Sequence, residues 1–355
     1  MTSEQLLHTV FSFLPFMVCL FWFVCFAVNT RRDDVPKQYF TVYIATCSVL
    51  YLCHAMFFTI GLTYEMECLW TLCSLSVYPL FYAYLTRLTA ANFSLRLLLP
   101  WLIPGAAVAL AKYLLPDAGI DRLRLLLFAV QIICVCYLGI RRLKNFDAKL
   151  QNVYADTEKR DTTAVHHLLI AIIIVSIVSG IANSVGKHFF GTNLWLLASI
   201  STAFSTLLFS LCYICYNRDF TIDTLRLDEG YSQAAPQAPL QSEEMESIVA
   251  KINELMSTHH YFTKKDLKIS DLATEIGSNR TYVSNYINRT YHCSFSDMVN
   301  KLRIEYAQQL IISSAKGTKI TQIADESGFA SEQSFYRNFK KFVGMTPAEW
   351  QKELD

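Results

Sequence analysis

The sequence predicts an all-α protein in two parts: a seven-helix transmembrane bundle followed by a cytoplasmic, all-helical double helix-turn-helix domain. Two observations predict this fold. Residues 1–216 hold long apolar runs and only 15 Lys and Arg and 11 Asp and Glu, which are confined to short islands. Residues 217–355 hold 16 basic and 19 acidic residues at the density of a soluble protein, with a helical pattern that occurs twice. The overall net charge of +1 averages two unlike halves and says little about partners.

Seven apolar runs are long enough to span a bilayer, which takes about 20 residues per helix. They lie at Leu6–Val28, Tyr39–Leu62, Leu69–Leu88, Leu95–Leu115, Leu123–Ile140, Val165–Ser184 and Leu194–Tyr216. The first run lacks a basic leader and a small-residue cleavage site, so we expect a retained helix rather than a signal peptide.

Basic residues accumulate in the loops that remain in the cytoplasm. They follow the first, third and fifth runs, at Arg31, Arg32, Lys37, Arg87, Arg96, Arg141, Arg142, Lys144, Lys149, Lys159 and Arg160. The alternate loops hold few, with Lys112, Arg122 and Arg124 as the exception. This pattern predicts a multi-pass protein of the inner membrane, in contact with its lipids, with the N-terminus outside and the C-terminal domain in the cytoplasm.

The chain after the last run divides into three parts, which gives four segments in all: a transmembrane part at 1–217, a linker at 218–241, a connecting helix at 242–258 and a helix-turn-helix domain at 259–355. Pro, Ala and Gln residues without periodicity mark the linker. Ser242 begins a helix with acidic residues in its first turn, where they favour the helix dipole. Its apolar seam of Met245, Ile248, Ile252 and Leu255 favours packing on the domain behind it. A homodimer contact or a signal-relay helix is the alternative.

The stretch from Lys319 to Pro347 has the pattern of two short helices joined by a tight turn. Gly328 suits the end of the first helix, where positive φ is needed, and Ser331 suits the N-cap of the second. In the second helix, Phe335, Phe339 and Phe342 recur at i, i+4 and i+7 and predict one buried face. A short second helix with a basic, amide-bearing outer face is typical of a helix-turn-helix.

The same pattern occurs upstream, where Lys268–Gly277 matches Lys319–Gly328 at seven of the aligned positions. Beyond the glycines the second copy carries one more residue in its turn, after which Val283 matches Phe335 and Ile287 matches Phe339. A bridging helix, with an apolar stripe formed by Met298, Leu302, Tyr306 and Leu310, would fix the spacing of the two copies. Such tandem readers can enter successive major grooves about 34 Å apart.

The outward faces of the two second helices provide the candidate DNA-binding residues. They are Arg280, Thr281, Ser284, Asn285 and Arg289 in the first copy and Gln333, Tyr336, Arg337, Lys340 and Lys341 in the second. Asn and Gln can pair with adenine and Arg with guanine. Arg289, Lys340 and Lys341 are expected to meet phosphates instead. The alternative is an ordinary solvent-exposed helix face. Against it, no acidic residue lies between Ile276 and Ser296 or between Gln333 and Ala348.

These residues carry a family resemblance over about a third of the chain. The double helix-turn-helix and the pairs Gly328-Phe329 and Thr346-Pro347 resemble the DNA-binding domain of AraC/XylS-type bacterial transcription regulators. The bridging helix matches at Ser294, Phe295, Asn300, Arg303 and Ala307. The resemblance implies binding of asymmetric DNA sites beside promoters and contact with RNA polymerase. His292 departs from the pattern, since the family usually has glycine there, and we expect a left-handed backbone at that position.

The sequence contains no nucleotide-binding loop, no zinc-protease motif and no nucleophile elbow, so we expect no enzyme and predict no cofactor or metal site. Cys212 and Cys215 form a CxxC inside an apolar run and are interpreted as small hydrophobes. The polar residues inside the runs are His54, Gln131 and Asn183, for which interhelical hydrogen bonds are the favoured role.

The leading hypothesis is a transcription regulator held at the membrane, whose membrane part senses an unknown small-molecule or membrane-derived signal. Two alternatives remain open from the sequence. The first is a receptor or transporter-like protein whose helical tail recruits partners. The second is a regulator with a passive membrane anchor.

Overall fold

The computed structural model describes residues 2–90, 95–115, 119–157, 167, 169–171, 174, 193–217, 242–313 and 318–354. Within these ranges the regular structure is helical, apart from one antiparallel bridge between Tyr154 and Lys268. The contacts divide the chain into two compact units. The first comprises Met1–Lys144 and Thr162–Ile222, and the second comprises Asn145–Asp161 and Asp223–Asp355.

The first unit is built from long apolar helices. These are α1 (Ser3–Asn29), α2 (Val35–Thr59), α3 (Tyr64–Thr89), α4 (Leu95–Leu114), α5 (Ile120–Val153) and α6 (Leu194–Tyr216). The last residues of α5, from Asn145 onward, belong to the second unit. Five of them, all except α4, are long and apolar enough to cross a membrane by length and composition. The apolar part of α4 is shorter, at Leu98–Leu114. Most of the expected span at Val165–Ser184, including Asn183, lies outside the described residues, so the count of seven stays a prediction.

Aromatic side chains form the core of the first unit. The ring of Phe40 lies 4.9 Å from that of Phe26 and 5.0 Å from that of Tyr84, measured between centroids. Tyr43 and Phe81 continue the cluster at 5.3 Å. Rings at these separations attract each other beyond their burial. This packing therefore fixes α1, α2 and α3 against one another.

The polar candidates of the first unit are largely tied to their surroundings. Gln131 is buried, and its amide nitrogen lies 3.5 Å from the carbonyl oxygen of Trp101 on α4, which agrees with a bond between helices. The ring of His54 meets Phe58 edge to face. Cys212 and Cys215 are both buried. Among the described residues, no group of three or more His, Cys, Asp or Glu is arranged to hold a metal ion.

Two basic residues that depart from the loop-charge pattern have acidic partners. The ammonium group of Lys112 lies 3.0 Å from Asp121 and 3.3 Å from Glu67. Arg124 lies over the ring of Trp70, 4.4 Å from its centroid, and 3.4 Å from Asp121. Each of these two cations therefore has an acidic partner within the first unit.

Among its described residues, the second unit contains seven further α-helices. They are α7 (Ser242–Ser257), α8 (Ile269–Glu275), α9 (Arg280–Tyr291), α10 (Phe295–Ser313), α11 (Ile320–Glu326), α12 (Glu332–Val343) and α13 (Pro347–Leu354). Helix α7 begins at Ser242, as the sequence predicts. Ile248 and Ile252 are buried and Leu255 packs against the same core, so this helix covers the domain behind it. The linker at 218–241 lies outside the described residues.

Helix α10 joins the cores of the two helix-turn-helix copies. Its first half, with Phe295 and Met298, belongs to the core around α8 and α9, and its second half, with Ala307 and Ile311, belongs to the core around α11 and α12. One continuous helix in two cores is a rigid spacer, because bending it would break backbone hydrogen bonds. The expected stripe residue Tyr306 packs at the edge of the first core.

Candidate nucleic-acid interface

The two helix-turn-helix copies share one turn geometry. After the first helix of each copy, the N–H groups of the glycine and of the next residue donate back to carbonyl oxygens of the last turn. The donors are Gly277 and Ser278 in one copy and Gly328 and Phe329 in the other, at 2.8 to 3.1 Å. The φ values of the two glycines are 69° and 86°, a region that glycine enters without strain. The expected positive φ at Gly328 is confirmed.

Side-chain caps then start the second helices. Asn279 accepts a hydrogen bond from the N–H of Tyr282 at 3.0 Å, and Ser331 accepts one from the N–H of Ser334 at the same distance. The cap follows the glycine by one residue more in the second copy, which is the insertion that the sequence predicts. Each capped helix, α9 and α12, has 12 residues.

Buried apolar side chains set which face of each second helix points outward. Val283 and Ile287 of α9 are 0% exposed, as are Phe335 and Phe339 of α12. Phe342 is only half-buried and packs at the edge of its core. Since one face of each helix is held by the core, the opposite face is fixed in direction.

The candidates on α9 lie on this opposite face. Thr281, Asn285 and Arg289 are exposed, and Arg280 and Ser284 are half-buried. Four of them, all except Arg289, line one cleft, whose other wall is formed by Lys149, Asn152 and Val153. In the sequence, Lys149 belongs to a basic loop after the fifth apolar run, and nothing in that pattern predicts this neighbourhood. No local pattern could have indicated it, because the two walls are separated by more than a hundred residues.

The candidates on α12 differ in their surroundings. Gln333, Arg337 and Lys340 are exposed. Tyr336 is half-buried, with its ring 6.0 Å from that of Phe335. Lys341 is exposed, and its ammonium group lies 2.6 Å from the carboxylate of Asp297 on α10. A phosphate at Lys341 would therefore compete with an existing ion pair, whereas no such pair is seen for Lys340 within the described residues.

A buried arginine ties the two copies together. Arg303 of α10 is 0% exposed and donates to the carbonyl oxygens of Phe262 and Lys264, at 2.7 and 2.8 Å. Its guanidinium carbon also lies 5.5 Å from the centroid of the Phe329 ring, in the turn of the second copy. Burial lowers the pKa of Arg303 to about 10, and the charges of Asp156 and Asp266 oppose the shift. Arg303 remains charged at neutral pH and is held by several partners, as a buried cation requires.

Two residues in the left-handed region end or adjoin these helices. His292 follows α9 with φ of 51°, and Gly344 follows α12 with φ of 91°. The left-handed backbone expected at His292 is confirmed. A histidine pays a steric penalty there that a glycine would not.

The charge of this domain is modest but unevenly placed. Residues 260–355 contain 13 Lys and Arg and 11 Asp and Glu. No acidic residue lies between Ile276 and Ser296 or between Gln333 and Ala348. Helices α9 and α12 are therefore free of acidic residues over most of their length, which suits contact with a polyanion.

A family described as "Helix-turn-helix domain" matches residues 272–353. The match begins within α8 and includes all of α9 to α12, the same elements that carry the candidate interface. The match places a helix-turn-helix domain in the C-terminal part of the chain.

Named relatives are similar to this chain over about a third of its length. An uncharacterized HTH-type transcriptional regulator of Staphylococcus aureus (strain MSSA476) is 31% identical over 101 residues, 28% of this chain and 13% of that protein. The HTH-type transcriptional regulator ExsA of Pseudomonas aeruginosa is 27% identical over 125 residues, 34% of this chain and 43% of ExsA. The Msm operon regulatory protein of Streptococcus mutans is 22% identical over 108 residues, 30% of this chain and 38% of that protein. The chain thus spans less than half the length of each.

Among solved structures, a protein of unknown function from Listeria innocua is 27% identical to this chain. The alignment covers 28% of this chain and 93% of that one, with a TM-score of 0.26. A likeness this low carries no argument about the whole fold or the function.

Proposed function

We propose that the chain is a sequence-specific transcription regulator held in a membrane, which reads DNA through α9 and α12. The observation that carries the proposal is the duplicated turn geometry, which presents two short polar helices from one rigid domain. Regulation beside promoters, with contact to RNA polymerase, follows from the family resemblance and is part of the proposal. The upstream helices would hold this reader at the membrane and sense the signal.

The proposed readers divide by chemistry. Asn285 and Gln333 carry amides that can make paired hydrogen bonds to adenine, and Arg337 carries a guanidinium that can pair with guanine. Each good bidentate contact contributes about 1 to 3 kcal/mol of discrimination. Arg289 and Lys340 would contact phosphates, which position the domain without reading the sequence. The remaining candidates, Arg280, Thr281, Ser284, Tyr336 and Lys341, would support this contact.

Membrane anchoring is supported by five helices among the described residues that are long and apolar enough to cross a bilayer. The proposed orientation has the N-terminus outside and the second unit in the cytoplasm, because basic residues are concentrated in the loops assigned to that side. Reporter fusions test it. A reporter that works only outside the cytoplasm should be active when inserted after Thr63 and inactive when fused after Asn217. The reverse result would contradict the orientation.

DNA binding is tested on the full chain in lipid nanodiscs with a pool of random DNA duplexes. Repeated selection should enrich a motif of two parts, about one helical turn apart, because α9 and α12 are joined by one rigid helix. The affinity should fall as salt is raised, since phosphate contacts release counterions. No enrichment at any salt concentration would refute the proposed function.

An experiment in which the membrane part is exchanged distinguishes a sensing role from passive anchoring. Replacing residues 1–144 with an unrelated membrane anchor should abolish signal-dependent expression of the target genes but keep DNA binding. Unchanged regulation after the swap would favour a passive anchor.

A further inference from the structure

We propose that residues 149–156, which we call the arm, form an inhibitory cover over α9 that must leave before α9 can enter a major groove of DNA. This inference rests on the proposed function of the domain. It gives a regulatory contact to a segment whose sequence alone predicts a loop after the fifth apolar run.

The arm is the continuation of an apolar helix into the second unit. Helix α5 begins at Ile120 and ends at Val153, and from Asn145 onward the chain belongs to the same compact unit as residues 223–355. The arm's apolar side chains are not left in solvent: Leu150 and Tyr154 are each 1% exposed and Val153 is 5% exposed. A loop that lay free in solvent would leave these side chains exposed. The arm is therefore packed against the rest of the second unit.

The docking contact is built from specific hydrogen bonds at Ala155. Its N–H donates to the carbonyl oxygen of Leu267 at 2.9 Å. Its carbonyl oxygen accepts bonds from the hydroxyl of Ser296 at 2.7 Å and from the amide nitrogen of Asn300 at 3.0 Å. Ala155 is 0% exposed, and Tyr154 pairs with Lys268 beside it as the only bridge in the described chain. Both backbone groups of one buried residue are thus satisfied by the helix-turn-helix domain.

The arm faces the proposed reading surface of the first copy. Lys149, Asn152 and Val153 form one wall of a cleft, and Arg280, Thr281, Ser284 and Asn285 of α9 form the other. The cleft encloses about 180 Å³, less than the roughly 300 to 1,000 Å³ of usual ligand pockets, and it is a narrow gap between two chain segments.

DNA and the arm cannot occupy this side of α9 together. A helix with its side chains is about 10 to 12 Å across, and the major groove of DNA is about 12 Å wide, so the groove admits one helix and no second one beside it. On this side of α9, Arg280 and Ser284 are half-buried, whereas Gln333 and Arg337 on α12 are exposed. The arm therefore blocks the first copy and leaves the second able to touch DNA, which gives weak, one-sided binding in the docked state.

Covalent continuity gives the membrane part a route to the arm. Residues 120–153 form one helix, so a movement of the apolar segment pulls on the docked residues directly. The apparent affinity of the whole population for DNA then equals the affinity of the released state multiplied by the fraction of molecules that are released. Only that fraction is competent for binding through both copies.

The test measures DNA affinity of the full chain in nanodiscs, using the duplex selected for the wild type. Ala155→Asp places an unpaired acid at the docking point and should release the arm. The matched control Gln151→Asp adds the same charge at an exposed position of the same segment. If the arm stayed in place, an added acid would only repel DNA. We expect at least a tenfold gain in affinity for Ala155→Asp and no gain for Gln151→Asp.

Hydrogen exchange of the wild-type chain gives a second measurement that does not depend on the variant folding. Upon DNA binding, amides of residues 150–156 should exchange faster while those of α9 and α12 become protected. A merely structural arm would keep its protection. Unchanged or increased protection of the arm in the complex, or an unchanged or lower affinity of a folded Ala155→Asp variant, would overturn the inference while leaving the proposed function intact. A folded chain that binds no DNA at all would overturn both.

Discussion

Replacing Gly328 by alanine should destabilise the second unit far more than replacing Gly277, although both glycines hold the same place in the two copies. Their φ values are 86° and 69°, so either alanine incurs the left-handed penalty of about 1 to 2 kcal/mol. A reduced entropy of the unfolded chain returns about 0.4 to 1 kcal/mol. The net cost at Gly277 should therefore be about 1 kcal/mol, because a Cβ there meets nothing within 4 Å.

The surroundings of Gly328 add a second cost. A Cβ at this position would overlap the carbonyl oxygen of Thr263 and would lie 2.5 Å from its Cα atom. Both are backbone atoms, so they cannot move aside by a change of rotamer. The Thr263 segment is also held by Arg303, which donates to the carbonyl oxygens of Phe262 and Lys264 on either side. Overpacking of this kind costs about 1 to 3 kcal/mol, for a total of about 2 to 4 kcal/mol.

The assay is hydrogen exchange by mass spectrometry across a urea series, on the full chain in detergent. Peptides from α8 to α12 report the free energy of unfolding of the same domain in both variants. Gly277→Ala is the control for the left-handed backbone alone. Equal losses for the two variants, within about 0.5 kcal/mol, would show that the close approach of Thr263 to Gly328 does not limit the fold.

Three further predictions concern the domain. Arg337→Ala should reduce the discrimination between selected and scrambled duplexes by about 1 to 3 kcal/mol. Lys340→Ala should lower the affinity for all sequences and reduce the slope of log affinity against log salt concentration by about one. Titration of selected and scrambled duplexes measures both. Equal effects of both changes on every duplex would contradict these roles. Arg303→Lys should lower the free energy of unfolding of the second unit by about 2 to 4 kcal/mol, because an ammonium cannot reach both carbonyl oxygens and leaves a buried acceptor unpaired. An unchanged urea midpoint would refute this. His292→Gly should raise the free energy of unfolding by up to about 1 kcal/mol, since it removes the left-handed penalty at φ of 51°, and a loss of stability would argue that the imidazole makes a contact of its own.

The helices of the reading domain follow closely from local sequence signals. Ser331 and Ser242 begin helices, and Gly328 ends one with positive φ, because caps and left-handed turns depend on residues only a few positions apart. The buried face of Phe335 and Phe339 follows in the same way from the helical period. Periodicity was less decisive for Phe342, which lies near the helix end at the edge of the core and stays half-buried.

The environments of the proposed readers could not be predicted from spacing. The sequence places Lys340 and Lys341 on one outer face, and both are exposed, yet only Lys341 has a carboxylate within 2.6 Å. That partner, Asp297, lies 44 residues away in the chain. Whether a surface cation has an acidic neighbour depends on how separate helices pack, which no local pattern records.

The sequence by itself determined the helix-turn-helix duplication, its caps, its turns and the polar faces of α9 and α12, because each depends on side chains within about one or two helical turns. Only the tertiary structure decided that Lys149, Asn152 and Val153 border the same cleft as α9. The carbonyl oxygen of Ala155 meets Ser296 and Asn300 across 141 and 145 residues of chain. Ala155 follows the end of α5, and an alanine there carries no local signal. A contact over that separation is therefore fixed by packing alone.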